Sequence, residues 1–249
     1  VLGQTLGGGG WRAGWKVFGA ISLITAIIAA LLLRNSPENM GISPMGEVNE
    51  EERENNLQAD SVPARGILTH LGVLYFFFGA TYVIYGTFIV TTMVSERGIA
   101  EASAGRFWSV VGFFSIFSGP LFGALSDRIG RKGGLLAVFA VHTLTYLLAG
   151  LKLGAWALYL SVVLYGISAW SIPTIMAAAV ADYLGLARAA VAFSVITFFF
   201  AAGQALGPGV AGVLAKGSGS FSGSYLMAAS ATGVAFFIAL FLRKPASDT

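Results

Sequence analysis

Gly123-Ala124-Leu125-Ser126-Asp127-Arg128-Ile129-Gly130-Arg131-Lys132 stands between two uncharged stretches, Phe107 to Ser126 and Gly133 to Leu151. Each stretch reaches the length of about 18 mostly apolar residues that marks a candidate membrane-spanning helix. Gly130 permits a tight turn, so the ten residues read as a short basic connection between two spans.

Working outward, charged residues punctuate the whole chain in the same way. The other uncharged intervals run from Val17 to Leu33, Gly66 to Ser95, Leu153 to Ala181, Ala189 to Ala215, and Gly217 to Leu242. With the first two they make seven. Hydrophobic residues are 56% of the chain and charged residues 11%, against about 25% charged in an ordinary soluble domain. A water-facing surface cannot be built from so few charges. The intervals are long and do not alternate, and in lipid each backbone polar group must be satisfied internally, so helices are expected and a barrel of short alternating strands is not. The fold class is therefore an all-α polytopic membrane protein of about seven transmembrane helices. The first interval is the shortest, and Trp11, Trp15 and Arg34 are placed to anchor its two ends at the interfaces.

One long polar stretch, Asn35 to Arg65, carries Pro37, Pro44 and Pro63 and an acidic cluster of Glu47, Glu50, Glu51, Glu52 and Glu54. It reads as a solvated linker. Counting Lys and Arg on alternate sides gives nine on the side of Arg34, Arg128, Arg131, Lys132 and Arg243, and six on the side of Arg12, Lys16 and Lys152. The positive-inside bias puts the linker and C-terminus in the cytoplasm and the N-terminus outside. Val1 is not an initiator Met, and the first ten residues lack the basic region and cleavage site of a signal peptide, so a fragment of a longer protein is expected.

The ten-residue stretch resembles the G-x-x-x-D-R-x-G-R-R/K signature of the major facilitator superfamily, with Gly123, Asp127, Arg128, Gly130, Arg131 and Lys132 at its positions. Gly41, Pro44 and Gly46, after Pro37-Glu38, look like a run that follows helix 6 in many members. The resemblance implies a twelve-helix protein built as two halves, of which this chain is helices 6 to 12. Residues 1–34 would hold the last helix of the N-terminal bundle, 35–65 the cytoplasmic inter-bundle linker, and 66–249 the C-terminal six-helix bundle. It also implies that the signature residues form a conformational latch, broken and remade during alternating access.

The sixth interval contains Gly203, Gly207, Pro208 and Gly212. This run resembles a G-x-x-x-G-P motif that the family's antiporters carry on helix 5, whereas here it falls on the repeat-related helix 11. Its glycines offer a close-packing face and its proline a hinge, and both readings stand.

The resemblance makes helices 7 and 10 the cavity-lining members of this half. Tyr82 and Tyr85 on the first and Tyr165 and Trp170 on the second are candidate substrate-binding residues, each with core or interface packing as the alternative. Tyr85-Gly86 and Tyr165-Gly166 form a faint internal echo between the two three-helix repeats. Gln204, mid-span, must bond in hydrocarbon or line a wet cavity, and is a further candidate substrate-binding residue. His142 is expected to be neutral, with one interhelical hydrogen bond, rather than a proton relay.

Cysteine is absent, so neither disulfides nor thiolate metal sites are available. Basic residues sit at span edges and not in a stripe with interleaved aromatics, which argues against nucleic acid. His70 and His142 lie far apart with no carboxylate at helical spacing, which argues against an enzyme, a metal site or a cofactor. The expected function is a secondary-type transporter of a small organic solute across the cytoplasmic membrane by alternating access. The alternative is a transporter-like receptor or scaffold without transport activity. The implied partners are a small-molecule substrate, a coupling ion such as H+, the lipid bilayer and the missing N-terminal half.

Overall fold

A computed structural model of the chain describes residues 10–33, 41 and 64–242, in two compact units, Val1–Gln58 and Ala59–Thr249. The first unit holds α1, Gly10–Leu32. At 23 residues it is about 35 Å long, enough to cross a bilayer. It begins before the uncharged interval at Val17 because Arg12 and Lys16 are long enough to reach an interface from its first turns. Apart from Gly41, the linker features between Asn35 and Pro63, its prolines and its acidic cluster among them, lie outside the described residues.

The second unit is a helical bundle. Its first helix, α2 (Ala64–Thr91), passes into a π-helical turn at Thr92–Glu96. Next comes one helical stretch, Glu101–Gly150, of 50 residues, in which Gly130 alone is non-helical, with φ 84° and ψ 156°. A straight helix of that length would be about 75 Å, more than twice the hydrocarbon thickness. It is two spans, α3 (101–129) and α4 (131–150), meeting at a conformation that only glycine adopts readily. The remaining helices are α5 (Ala155–Ser168), α6 (Ser171–Leu184), α7 (Leu186–Ser218) and α8 (Ser222–Leu240).

Among the described residues, six helical stretches are long and apolar enough to cross a membrane. Dividing the longest at Gly130 gives seven, in the order the charge punctuation predicts. No strand occurs among the described residues.

The interval Leu153 to Ala181, counted as one span, is broken between α5 and α6. Pro173 supplies the reason: it has no N–H to give to the carbonyl of Ala169, and its ring crowds that carbonyl. Within the first turn of α6 the same proline costs nothing, because that N–H would be unpaired anyway.

Lipid removes most of the hydrophobic drive between helices, so small residues that allow close approach become important. A methyl group added at Gly203 or Gly207 of α7 would overlap the α2 backbone at Phe76 and Ala80, and one at Gly79 would overlap Phe200. Gly212 has open space around it. Helix α7 continues unbroken through Pro208. Two buried clusters form the core, one around Phe78, Phe139, Ile175 and Met176, the other around Tyr85, Tyr146, Tyr165 and Tyr225. Tyr82 packs against both. At the end of the bundle away from Gly130, the Glu96 carboxylate accepts the Phe221 N–H at 2.6 Å and the Ser220 hydroxyl at 2.8 Å, tying α2 to the start of α8.

Candidate functional site

Two groups of sequence-selected residues gather in the bundle, one at the Gly130 end and one at its waist. At the first, Arg131 donates from Nη1 to Asp127 and, at 2.9 Å, to Ser126 Oγ, and from Nε to Asp182 at 2.5 Å. A guanidinium stays protonated, and its two carboxylate partners offset the cost of its partial burial. Lys132 donates to the backbone oxygen of Leu240, placing a positive charge where the last carbonyls of α8 lack helical partners. From α2, His70 Nε2 donates a hydrogen bond to the Ile238 oxygen at 2.9 Å. Gly123 faces α6, where an added methyl would stand 3.3 Å from Thr174. Arg128 is exposed.

Asp182 was missed by the sequence reading, which used it only as the boundary of an uncharged interval. The signal available was its position on the same side of the alternating spans as Arg131.

The second group lines a cleft of about 470 Å³ between α2, α3 and the α5–α6 break. Tyr82, Tyr165 and Trp170 are on its wall, with Thr87, Trp108 and Ser115 among the residues that sequence reasoning did not select for a binding role. Tyr82 and Tyr165 lie 6.4 Å apart between ring centres with planes 9° apart; Trp108 is 6.5 Å from Tyr165 at 25°, and Trp170 is 5.6 Å from Tyr82 at 56°. The Tyr165 hydroxyl donates to the Tyr82 backbone oxygen at 3.0 Å, which fixes that ring.

Tyr85 is behind the wall. It is fully buried and stacks on Tyr165 at 4.3 Å, so the two tyrosines of the Tyr-Gly echo touch each other. Its hydroxyl is 2.8 Å from Ser161 Oγ, which itself donates to the Thr145 carbonyl at 2.8 Å. A carbonyl only accepts, so Ser161 has spent its proton and Tyr85 is the donor. Gly166 lets α5 approach α3, since an added methyl would stand 3.0 Å from Phe114 and 3.2 Å from the Val111 backbone. Gln204 is half-buried on α7 and is not part of the cleft wall.

The helix break beside Trp170 is held by side chains from two other helices. Ser118 of α3 donates to the Ser115 oxygen at 2.8 Å and accepts the Trp170 N–H at 3.0 Å. His142 of α4 is fully buried, and its Nε2 lies 3.3 Å from the Ser168 oxygen. That is one interhelical hydrogen bond, donated by the imidazole. No Asp, Glu, Lys or Arg lines the cleft, and no group of three or more metal-ligating residues occurs among the described residues.

Seven spans, a basic glycine turn between the third and fourth, and an uncharged cleft at the waist define a multi-pass all-α membrane protein. The profile of the family described as "Uncharacterised MFS-type transporter YbfB" matches residues 1–240, and the chain belongs to that family. It is 28% identical over 160 residues to the class G tetracycline resistance protein of Vibrio anguillarum, which covers 63% of this chain and 40% of that protein. To monocarboxylate transporter 2 of Rattus norvegicus it is 21% identical over 234 residues, 87% of this chain and 48% of the relative. To the multidrug resistance protein MdtG of Enterobacter lignolyticus it is 30% identical over 175 residues, 68% of this chain and 41% of the relative. The chain thus spans less than half the length of each of these relatives.

Proposed function

We propose that this chain supplies the C-terminal half, together with the last helix of the N-terminal half, of a secondary-type carrier that moves a small organic solute across the cell membrane by alternating access. The observation that carries this reading is the cleft: an open recess at the waist of the bundle, walled in part by Tyr82, Trp108, Tyr165 and Trp170 and formed where a broken helix faces two unbroken ones. Binding sites of secondary transporters lie near the bilayer midplane and commonly involve discontinuous helices. In this reading residues 1–34 end the first bundle, 35–65 are a cytoplasmic linker, and 66–249 form the second bundle with its C-terminus inside. The solute is held between the cleft and the N-terminal half, and any coupling ion, H+ included, is bound by that half, since no Asp, Glu, Lys or Arg lines the cleft of this one.

The network around Arg131 acts as the latch. Surface ion pairs are individually worth about 0–1 kcal/mol, a suitable size for contacts that must break and re-form in each cycle. The relatives' names mention tetracycline, monocarboxylate and multiple drugs, which supports a small organic solute and no narrower class. Reconstitution of the complete protein in liposomes tests the proposal with a panel of labelled solutes including tetracycline and lactate. Saturable flux supports a carrier, whereas saturable binding without flux would make the protein a receptor with a carrier's fold.

A further inference from the structure

The cleft's chemistry narrows the solute, an inference that rests on reading the cleft as the solute site. Its wall offers aromatic surface: Trp108 and Trp170 are 39% and 48% exposed, Tyr82 is partly buried beside Trp170, and Tyr165, 2% exposed, packs behind them nearly parallel to Tyr82. Aromatic faces favour flat conjugated partners in offset stacks. The polar tips are unevenly used. Tyr165 donates to the Tyr82 carbonyl and Ser115 to the Gly112 carbonyl at 2.8 Å. By contrast, Trp170 and Tyr82, which line the cleft, have no hydrogen-bond partner for the indole N–H or the phenol hydroxyl among the described residues, while Trp108 presents its Cη2 edge toward Gly86.

An indole N–H only donates, so a bound solute completes that of Trp170 only by presenting an acceptor. Charge is constrained as well. With no ionised side chain on this wall, a carboxylate entering against it sheds water without gaining a counter-charge. A cation would find ring faces to its liking but would meet the unpaired donors with the wrong sign.

We infer that this half of the site takes the flat, uncharged, conjugated part of a solute that carries carbonyl-type acceptor oxygens at its rim. The volume, about 470 Å³, falls in the range of about 300–1,000 Å³ usual for small-molecule sites.

Equilibrium dialysis of the complete protein in nanodiscs, against empty nanodiscs, tests this with four probes. Coumarin is flat, neutral and carries a carbonyl; octahydrocoumarin keeps the carbonyl but is not flat; coumarin-3-carboxylate adds a negative charge; N-methylquinolinium is flat and cationic and has no carbonyl. The expected result is saturable coumarin binding at least about threefold tighter than that of each other probe, the scale of one aromatic stack. Tyr82→Phe and Trp170→Phe, which keep a ring and remove a donor, should each weaken coumarin about three- to tenfold. Trp156→Phe, at an exposed position outside the cleft, should not.

Equal or tighter binding of a charged or non-flat probe, absence of saturable coumarin binding, or unaltered affinity in both donor-removing variants overturns the inference. The carrier reading fails separately. Flux of coumarin-3-carboxylate without coumarin binding refutes the solute class and keeps the carrier, while coumarin binding with no solute flux keeps the class and refutes the carrier.

Discussion

Arg131 of α4 reaches Asp182 of α6 through Nε at 2.5 Å while its Nη1 reaches Asp127 and Ser126 of α3, so a single guanidinium joins three helices beside Gly130. Its side chain is only 17% exposed, whereas Asp127 and Asp182 are 62% and 41% exposed. The anchor is the arginine, and the carboxylates are its outer partners.

Removing one outer partner should be mild. Asp127→Ala and Asp182→Asn are each expected to cost up to about 1 kcal/mol, to leave membrane insertion intact, and to change transport rate more than stability. Arg131→Lys should not restore the wild-type rate, because an ammonium cannot bond in two planar directions at once. Flux at matched expression, beside thermal unfolding in detergent, checks all three. Unchanged flux in both aspartate variants would remove the latch from the account.

The α2–α7 contact makes a sharper structural prediction. Gly207→Ala places a methyl against the Ala80 backbone, and Gly203→Ala against Phe76. Backbone cannot rotate out of the way, so each should destabilise the bundle by about 1–3 kcal/mol. Gly212→Ala meets open space within the bundle and should be neutral or slightly stabilising, alanine being the better helix former. Thermal unfolding of the purified variants separates these outcomes.

Ser118→Ala takes the acceptor away from the Trp170 N–H at the helix break. An amide left unpaired in a buried setting costs about 1–3 kcal/mol, and the loss should fall on the orientation of Trp170. Lower stability with weaker solute binding is expected; hydrogen exchange at the α5–α6 break should rise with it. A variant with wild-type exchange there would show that the break needs no support from α3.

Tyr85 and Tyr165 should separate by function. Tyr85→Phe deletes a donor to Ser161 behind the wall, for about 1 kcal/mol of stability, with solute affinity nearly unchanged. Tyr82→Ala and Tyr165→Ala remove wall surface and should weaken solute binding more than Leu135→Ala or Phe237→Ala does. Affinity measured by equilibrium dialysis on all five variants decides the matter.

The seven spans could be read in advance because Asp, Glu, Lys and Arg are so costly in hydrocarbon that they survive only at the edges, as Arg106, Asp127, Lys152 and Lys216 do. The break after Ser168 was less legible. Hydropathy does not register a missing N–H, and Pro173 was the only sign of it. Tyr82 and Tyr85 looked equivalent, three residues apart on one helix and so about 60° apart around it. Which of them faces the cleft depends on Tyr146 of α4 and Tyr225 of α8 closing over Tyr85, and no local pattern encodes that. Trp108 gives no local sign of a binding role, because Arg106 marks a span end, where an aromatic residue is ordinarily an interface anchor. Asp182 could be assigned to the side of Arg131 by counting spans, but that Arg131 is its partner follows only from α6 lying against the Gly130 turn.

The absence of cysteine from this chain opens the most direct test of a solute cleft exposed to each side of the membrane in turn. Thr87→Cys and Ser115→Cys, in the complete protein cleared of any other cysteine, can be challenged with a membrane-impermeant maleimide from outside in one orientation of vesicle and from inside in the other. The account predicts labelling from both sides, slowed by bound solute, with Phe237→Cys, exposed on α8 outside the cleft, as the unreactive reference. If the cleft cysteines react no faster than that reference from either side, the recess is a groove filled by lipid and the carrier reading is wrong.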